Sequence, residues 1–334
     1  MSRTIIIATT GNSIVRAEGN GNVEWSVAAP LPDIDARCLA GDPFDQKTVY
    51  AGTQGQGVVH SKDYGETWHP LGLQDMVVKS LAVSPHEPGT IFAGTRPAAM
   101  FFSRDAGESW SELTGFRRIP GRWWWFSPAE SPFQAYVQSI AISPEDPQVL
   151  LAGIEFGAVV RSQDGGQTWS AHRKGALRDN HWLSFHSTKG KWAYQAGGSG
   201  GGASFSQDGG LNWRKNKQGL AKNYGVACAA DPLKPEIWYV SVAPGPGKAY
   251  GAQAEAYLYR TVGGAEWQPI GWQDHPLDSM PIALLTQPGQ PGQLYAGLTN
   301  GQVWRSSDYG EAWQQLPVRF SRIQRAMLVL NVDN

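Results

Sequence analysis

The chain has 334 residues, of which 41% are hydrophobic and 17% charged, with a formal net charge of −1. This is ample for a packed core and too apolar for disorder, and the near-neutral balance gives no electrostatic reason to expect nucleic acid or an anionic membrane as a partner. Two cysteines make no disulfide framework in so long a chain; free buried thiols fit a reducing compartment, and a cytoplasmic monomer is expected. The N-terminal apolar stretch is too short for a signal peptide, and no run reaches the length of a membrane helix.

Read in chain order, the elements repeat. The chain opens with the apolar run from Thr4 to Thr10, which reads as the second strand of a four-stranded unit, and a stretched turn phrase from Arg16 ends at Trp25. The phrase then returns in clear form: Ser61, Asp63, Gly65, Thr67 and Trp68, followed by Ser103, Asp105, Gly107, Ser109 and Trp110. It recurs with Asp164 before Trp169, with Asp208 before Trp213 and with Asp308 before Trp313, while the copy ending at Trp267 has lost its Asp. Ahead of most copies stands a hairpin of two short apolar strands around a Pro-rich turn, such as Leu81 to Gly94 through Ser84 and Pro85, or Ile140 to Gly153 through Ser143 and Pro144. A third strand leads into each phrase and a fourth follows its Trp.

Four strands per repeat, counted at Trp25, Trp68, Trp110, Trp169, Trp213, Trp267 and Trp313, predict an all-β, seven-bladed β-propeller of four-stranded antiparallel blades over residues 1–334, one domain. The run from Ile323 to Leu330 reads as a first strand, so it is expected to join the N-terminal blade and close the ring. The recurring Asp and Gly serve a tight turn and the Trp packs between blades; a residue shared by most blades marks the scaffold.

These residues carry a resemblance. The Ser-x-Asp-x-Gly-x-Thr-Trp phrase, with its Pro-rich hairpins, is similar to the Asp-box or BNR-repeat propellers, which include sialidases, xyloglucan-active hydrolases, the sortilin ectodomain and the photosystem II assembly factor. The chain looks most like the bacterial single-domain BNR-repeat proteins grouped with the glycosyl hydrolases. The resemblance covers nearly the whole chain and implies the fold; for function it implies either an enzyme or a binding protein. Phe116 to Pro120 echoes the Arg-Ile-Pro motif of sialidases, but its place in a loop after the third box reads as coincidence.

Strand order assigns the boxes and Pro-rich turns to one rim and all irregular loops to the other, where function concentrates. Three loops stand out there: the insertion from Phe116 to Tyr136, the loop from Ala243 to Glu255, and the segment from Gly271 to Met280. Aligned first strands place Arg37, Lys79, Gln138 and His181 at one register facing the channel, and the hairpin tips place Gln54, Arg96, Glu155 and Asn300 at another. With Trp123, Trp124, Tyr136, Tyr250 and Trp272 as walls, the expectation is a polar pocket for a small polar or carbohydrate-like ligand. The alternatives are a carbohydrate-active enzyme, hydrolase or lyase, with Glu155 and His181 as catalytic groups, and a protein- or peptide-binding scaffold. Glycoside hydrolysis needs two carboxyl groups, and the loop rim offers Asp33, Asp35, Glu130, Glu155, Asp179, Glu255, Asp274 and Asp278 without specifying a pair. No cofactor is called for. Nor is a metal expected, because His181 and His186 lie five apart on a strand and face opposite sides. The glycine run 197–202 reads as a hairpin tip giving clearance above the pocket.

Overall fold

The computed structural model describes residues 3–20, 24–198, 200–272 and 275–332. Seven antiparallel sheets succeed one another around a ring, each a meander whose first strand is innermost. Blade one combines Met327–Val332 with Arg3–Thr9, Ser13–Asn20 and Glu24–Pro32. Blade two comprises Ala36–Gly41, Val49–Thr53, Val58–Ser61 and His69–Pro70; blade three comprises Val77–Val83, Ile91–Arg96, Met100–Ser103 and Ser111–Glu112. Blade four has three strands, Val137–Ile142, Leu150–Ile154 and Val159–Ser162. Blade five runs through Asn180–Phe185, Ala193–Gly197, Ala203–Ser206 and Arg214–Lys215, and blade six through Tyr224–Ala230, Ile237–Ala243, Tyr257–Val262 and Gln268–Pro269. Pro281–Gln287, Gln290–Leu298, Gln302–Ser306 and Gln314–Arg319 form blade seven.

Ring closure follows the expected route. Arg3–Thr9 pairs on one side with Ser13–Asn20 and on the other with Met327–Val332, in a register running from Arg3 opposite Val332 to Ala8 opposite Met327. Central strands of the blades are almost wholly buried, which suits their β-branched and small apolar residues. Where blade four lacks a fourth strand, Ser170 and Arg173 still donate their N–H groups to the carbonyls of Arg161 and Val159, at 2.9 and 2.8 Å, and side chains supply the return acceptors. Ser170 Oγ accepts the Arg161 N–H at 3.0 Å, and His172 Nδ1 accepts the Val159 N–H at 3.1 Å.

Each Asp-box closes its own turn. In blade two, Asp63 Oδ1 accepts the N–H groups of Glu66 and Thr67, and Ser61 Oγ donates to Asp63 while accepting the N–H of Gly65. Gly65 and its counterparts Gly107, Gly166, Gly210 and Gly310 have positive φ, the reason for glycine there. The same box then bonds to the Pro-rich turn of its own blade, as in Tyr64 N–H to Lys47 O, Ala106 to Gly89 and Gly165 to Gln148. Those contacts put both kinds of regular turn on one rim. The opposite rim has its own set, including Gly157 N–H to Arg178 O, Ala98 to Ala135 and Ala254 to Asp278.

The box tryptophans pack at blade junctions. Trp267 of blade six is 2% exposed, meets Trp238 edge-on at 4.6 Å and shares a cluster with Tyr194 and Phe205 of blade five. Trp169 meets Phe116 edge-on at 5.3 Å. Truncating Trp267 to Ala should cost about 3–5 kcal/mol in denaturant unfolding, the range for a buried large aromatic; a loss below about 1 kcal/mol would remove its role as a plug.

Hydrogen bonds within the boxes also set an acid limit. The Ser109 hydroxyl, then the Ser103 hydroxyl and the Ser109 N–H, hold the Asp105 carboxyl at about 2, below its ordinary 3.8. A carboxyl lowered in the folded state contributes fully above its unfolded value and loses that contribution as pH falls through the folded one. The thermal midpoint should therefore fall between about pH 4 and pH 2, and less steeply in Asp105→Asn than in the native chain. Parallel melting curves for the two proteins across that range would count against it.

Candidate functional site at the channel mouth

The loop rim encloses a cavity of about 1060 Å³ at the mouth of the central channel. Its wall includes Arg37, Lys79, Tyr136, Gln138, Glu155, His181 and Tyr250, all singled out from sequence, together with Asp179, Trp182, Tyr224 and Arg325. The inner strands carry Arg37, Lys79, Gln138 and His181 at matching positions, which is why four blades deliver polar side chains to one place.

Two electrostatic groups divide this wall. The first is a cation cluster capped by the long insertion. Glu130 lies 2.7 Å from Arg37 Nη1, 2.8 Å from Lys79 Nζ and 2.6 Å from Arg96 Nη1, with Arg325 at 3.8 Å. Arg37 also pairs with Asp35 at 2.7 Å, and Arg96 donates to the carbonyls of Ser131 and Pro132. Burial works against the Glu130 anion, but the Lys79 hydrogen bond and the charges of Lys79 and Arg37 outweigh it and hold the carboxyl at about 2. Lys79 is itself lowered to about 8 by burial and by Arg37, and its ammonium sits 4.3 Å over the Tyr136 ring. The convergent cations expected from sequence are thus brought together, and the insertion supplies their counter-ion.

The second group is acidic. Glu155 from the second hairpin of blade four, and Asp179 and His181 leading into blade five, each present a ligand atom within 4.8 Å of the others, and all three are buried. Glu155 is 6% exposed, and among the described residues no hydrogen bond or ion pair to its carboxylate is found. Burial pushes that carboxyl up to about 7, an effect only partly offset by the His181 charge. His181 Nδ1 stands 2.6 Å from the Gly225 carbonyl oxygen, which only accepts, so Nδ1 carries the proton. Its Nε2 faces Asp179 Oδ1 at 3.3 Å. Burial opposes the imidazolium, but the nearby carboxylates of Asp179 and Glu155 raise His181 above its ordinary value. Tyr224 and Tyr250 line the cavity beside the cluster, and the Tyr224 ring lies 4.8 Å from that of His181. Clearance comes from the glycine run: a Cβ on Gly198 would stand 2.1 Å from Asp179 Oδ2 and 2.7 Å from the Tyr224 ring.

Other residues chosen from sequence lie elsewhere. Trp123 and Trp124 do not line the cavity; they stack on each other at 4.1 Å and are 76% and 70% exposed, because the insertion turns them outward after Arg122 binds the carbonyls of Ala98 and Phe116. Trp272 packs against Trp304 and Trp313 at the junction of blades six and seven. Gln54 is exposed beside its bridge to Val77, and Asn300 caps its own hairpin through Gln302. Arg96 reaches the site only through Glu130. The sialidase-like arginines are also outside: Arg117 pairs with Glu112, and Arg118 is exposed. Asp274 lies outside the described residues. Tyr224 and Arg325 were not singled out; Arg325 belongs to the segment preceding the closing strand, where the Pro-rich alignment used for the other blades has no counterpart.

Comparison with known proteins bears on the scaffold. The BNR/Asp-box repeat family model matches residues 160–171, the box of blade four. Among solved structures, a GH74 xyloglucanase from Xanthomonas campestris superposes with a TM-score of 0.67 at 18% identity, over 95% of this chain and 52% of that one. YCF48 bound to D1 peptide gives 0.60 at 14% identity over 99% and 97%, and YCF48 from Cyanidioschyzon merolae gives 0.58 at 13% over 84% of each. The chain has the Asp-box propeller fold. This Asp-box propeller spans about half the length of the xyloglucanase. No curated protein matches its sequence.

Glu130 is the single counter-ion that three buried cations share. Replacing it by Gln leaves Lys79 and Arg96 without this counter-ion and Arg37 with Asp35 alone, so Glu130→Gln should cost about 3–5 kcal/mol in chemical unfolding, the range for breaking a buried pair. A cost under about 1 kcal/mol would mean that the insertion is a surface ornament rather than part of the wall.

Proposed function

We propose that this Asp-box propeller binds a small, uncharged polar ligand of carbohydrate type in the channel mouth, with Glu155, Asp179 and His181 as its polar contacts and Tyr136, Tyr224, Tyr250 and Trp182 as its ring faces. The observation that carries this reading is the Glu155 carboxylate, buried at a cavity wall with no described partner. Buried carboxylates are ordinarily hydrogen-bonded, and one kept without a partner is a group held for something else. Ligand hydroxyls satisfy such a group, and tyrosine faces beside it suit a sugar ring.

The cation cluster argues against an acidic ligand or a peptide carboxylate as the first choice. Its charges are already engaged by Glu130, which an anion would have to displace. A second reading, glycoside cleavage on the bound ligand, is favoured by the closeness of Glu155 and Asp179, two carboxyl groups with ligand atoms within 4.8 Å, one of them raised to about 7. No helix of the described residues is long and apolar enough to cross a membrane. Free Cys38 and Cys228 are in keeping with a reducing, cytoplasmic setting.

A thermal-shift series with neutral sugars, uronates and small acids tests the reading. Neutral sugars should raise the melting point most, because a ligand at a hundredfold excess over its dissociation constant stabilises by about 2.7 kcal/mol. In Glu155→Gln that response should weaken at least tenfold in affinity while the ligand-free protein melts at the same temperature or higher, since a buried unpaired charge has been removed. An undiminished sugar response in Glu155→Gln, or a response to acids alone, would overturn the assignment.

A further inference from the structure

Among the described residues, Glu155, Asp179 and His181 bring two carboxyl groups and one imidazole to one point of the wall, all buried, with ligand atoms inside 4.8 Å. Because the Nδ1 proton of His181 is given to the Gly225 carbonyl, Nε2 is the ring nitrogen that faces the acids, and a cation there would take the place of the Nε2 proton. Such a backbone hydrogen bond on the far ring nitrogen is the usual way a metal-binding histidine is oriented. Lys79, the ammonium acting on Glu155, is held by Glu130 at 2.8 Å and so is not committed to the cluster. Glu155 itself is nine-tenths buried, unpartnered among the described residues and on the cavity wall.

We propose that Glu155, Asp179 and His181 form a binding site for one divalent transition-metal cation, Zn²⁺ or Mn²⁺, at the junction of blades four and five. One imidazole nitrogen with two carboxylate oxygens is a donor set that both ions accept, and three protein ligands leave coordination positions open towards the cavity. Ligands about 2.1 Å from a metal stand no more than about 4.3 Å apart, so the group closes on an ion by a shift of under about 1 Å. The His181 Nε2 to Asp179 Oδ1 distance of 3.3 Å already matches two neighbouring ligands. Gly198 is the residue whose missing side chain lets Asp179 reach this position. The site goes beyond the ligand-binding reading and does not require it. Protons on Glu155 and on His181 Nε2 are the competing way to neutralise the same cluster.

Full-length protein stripped with EDTA and dialysed separates the two. Titration with MnCl₂ followed by electron paramagnetic resonance, and with ZnCl₂ by calorimetry, should show one equivalent bound per chain and a rise in melting temperature. Glu155→Gln should weaken that binding at least tenfold, with Asp179→Asn as the second variant where the first does not fold, while His275→Ala, in an exposed connection, leaves it unchanged. Less than one equivalent in the native chain, or equal binding in Glu155→Gln and the native chain, overturns the cation and leaves protons as the neutralising species. A neutral-sugar response that persists in the stripped protein keeps the ligand reading standing whatever the metal result, so the two proposals fail separately.

Discussion

The pairing of Arg3–Thr9 with Met327–Val332 is the contact on which the rest of the molecule depends. Blade one is complete only while that ladder holds, and the strands that line the channel keep a common radius only while the ring is closed. Arg37, Lys79, Gln138 and His181 are mounted on those inner strands, and Arg96 and Glu155 on or beside the second strands paired with them. The site is therefore a property of the ring, since no single blade contains it.

Within the closed ring, two sets of charges have different origins. Arg37, Lys79 and Arg96 come from the regular repeat, while the carboxylate that neutralises them comes from the insertion between blades three and four. The acidic group contains no insertion residue: Glu155 sits at a hairpin tip of blade four and His181 on the first strand of blade five. The repeat alone would present a mixed wall, and the insertion turns one half of it into a satisfied network and leaves the other half open to the cavity. That division leaves Glu155, not the cations, as the group facing the cavity without a described partner.

Sequence reading reached the scaffold because its determinants are local. The box phrase closes its own turn through Asp63 and Ser61 and recurs often enough to count, and two-residue alternation along the first strands correctly sends Arg37, Lys79, Gln138 and His181 to the channel. It failed where long-range packing decides orientation. Nothing local distinguishes Trp123 and Trp124, which face outward, from Trp125, which packs over Phe116. The Glu130 contacts join residues 93, 51 and 34 positions apart, and the meeting of Glu155 with His181 crosses a blade boundary. In blade four, an outer strand expected from the repeat gives way to side-chain acceptors on Ser170 and His172, a substitution that neither residue announces.

His181 is tied to three consecutive blades. Its carbonyl accepts from Gln138 of blade four, its backbone belongs to blade five, and its Nδ1 proton goes to Gly225 of blade six. Strands within a blade are joined by continuous ladders, whereas neighbouring blades meet through side-chain packing and single bonds such as these. A slight loosening of this sector would therefore separate His181 from its partners while each sheet kept its own ladder. Under the proposed reading, a molecule that contacts His181 would bind more tightly to the closed sector than to the loosened one, and so would also fasten the three blades.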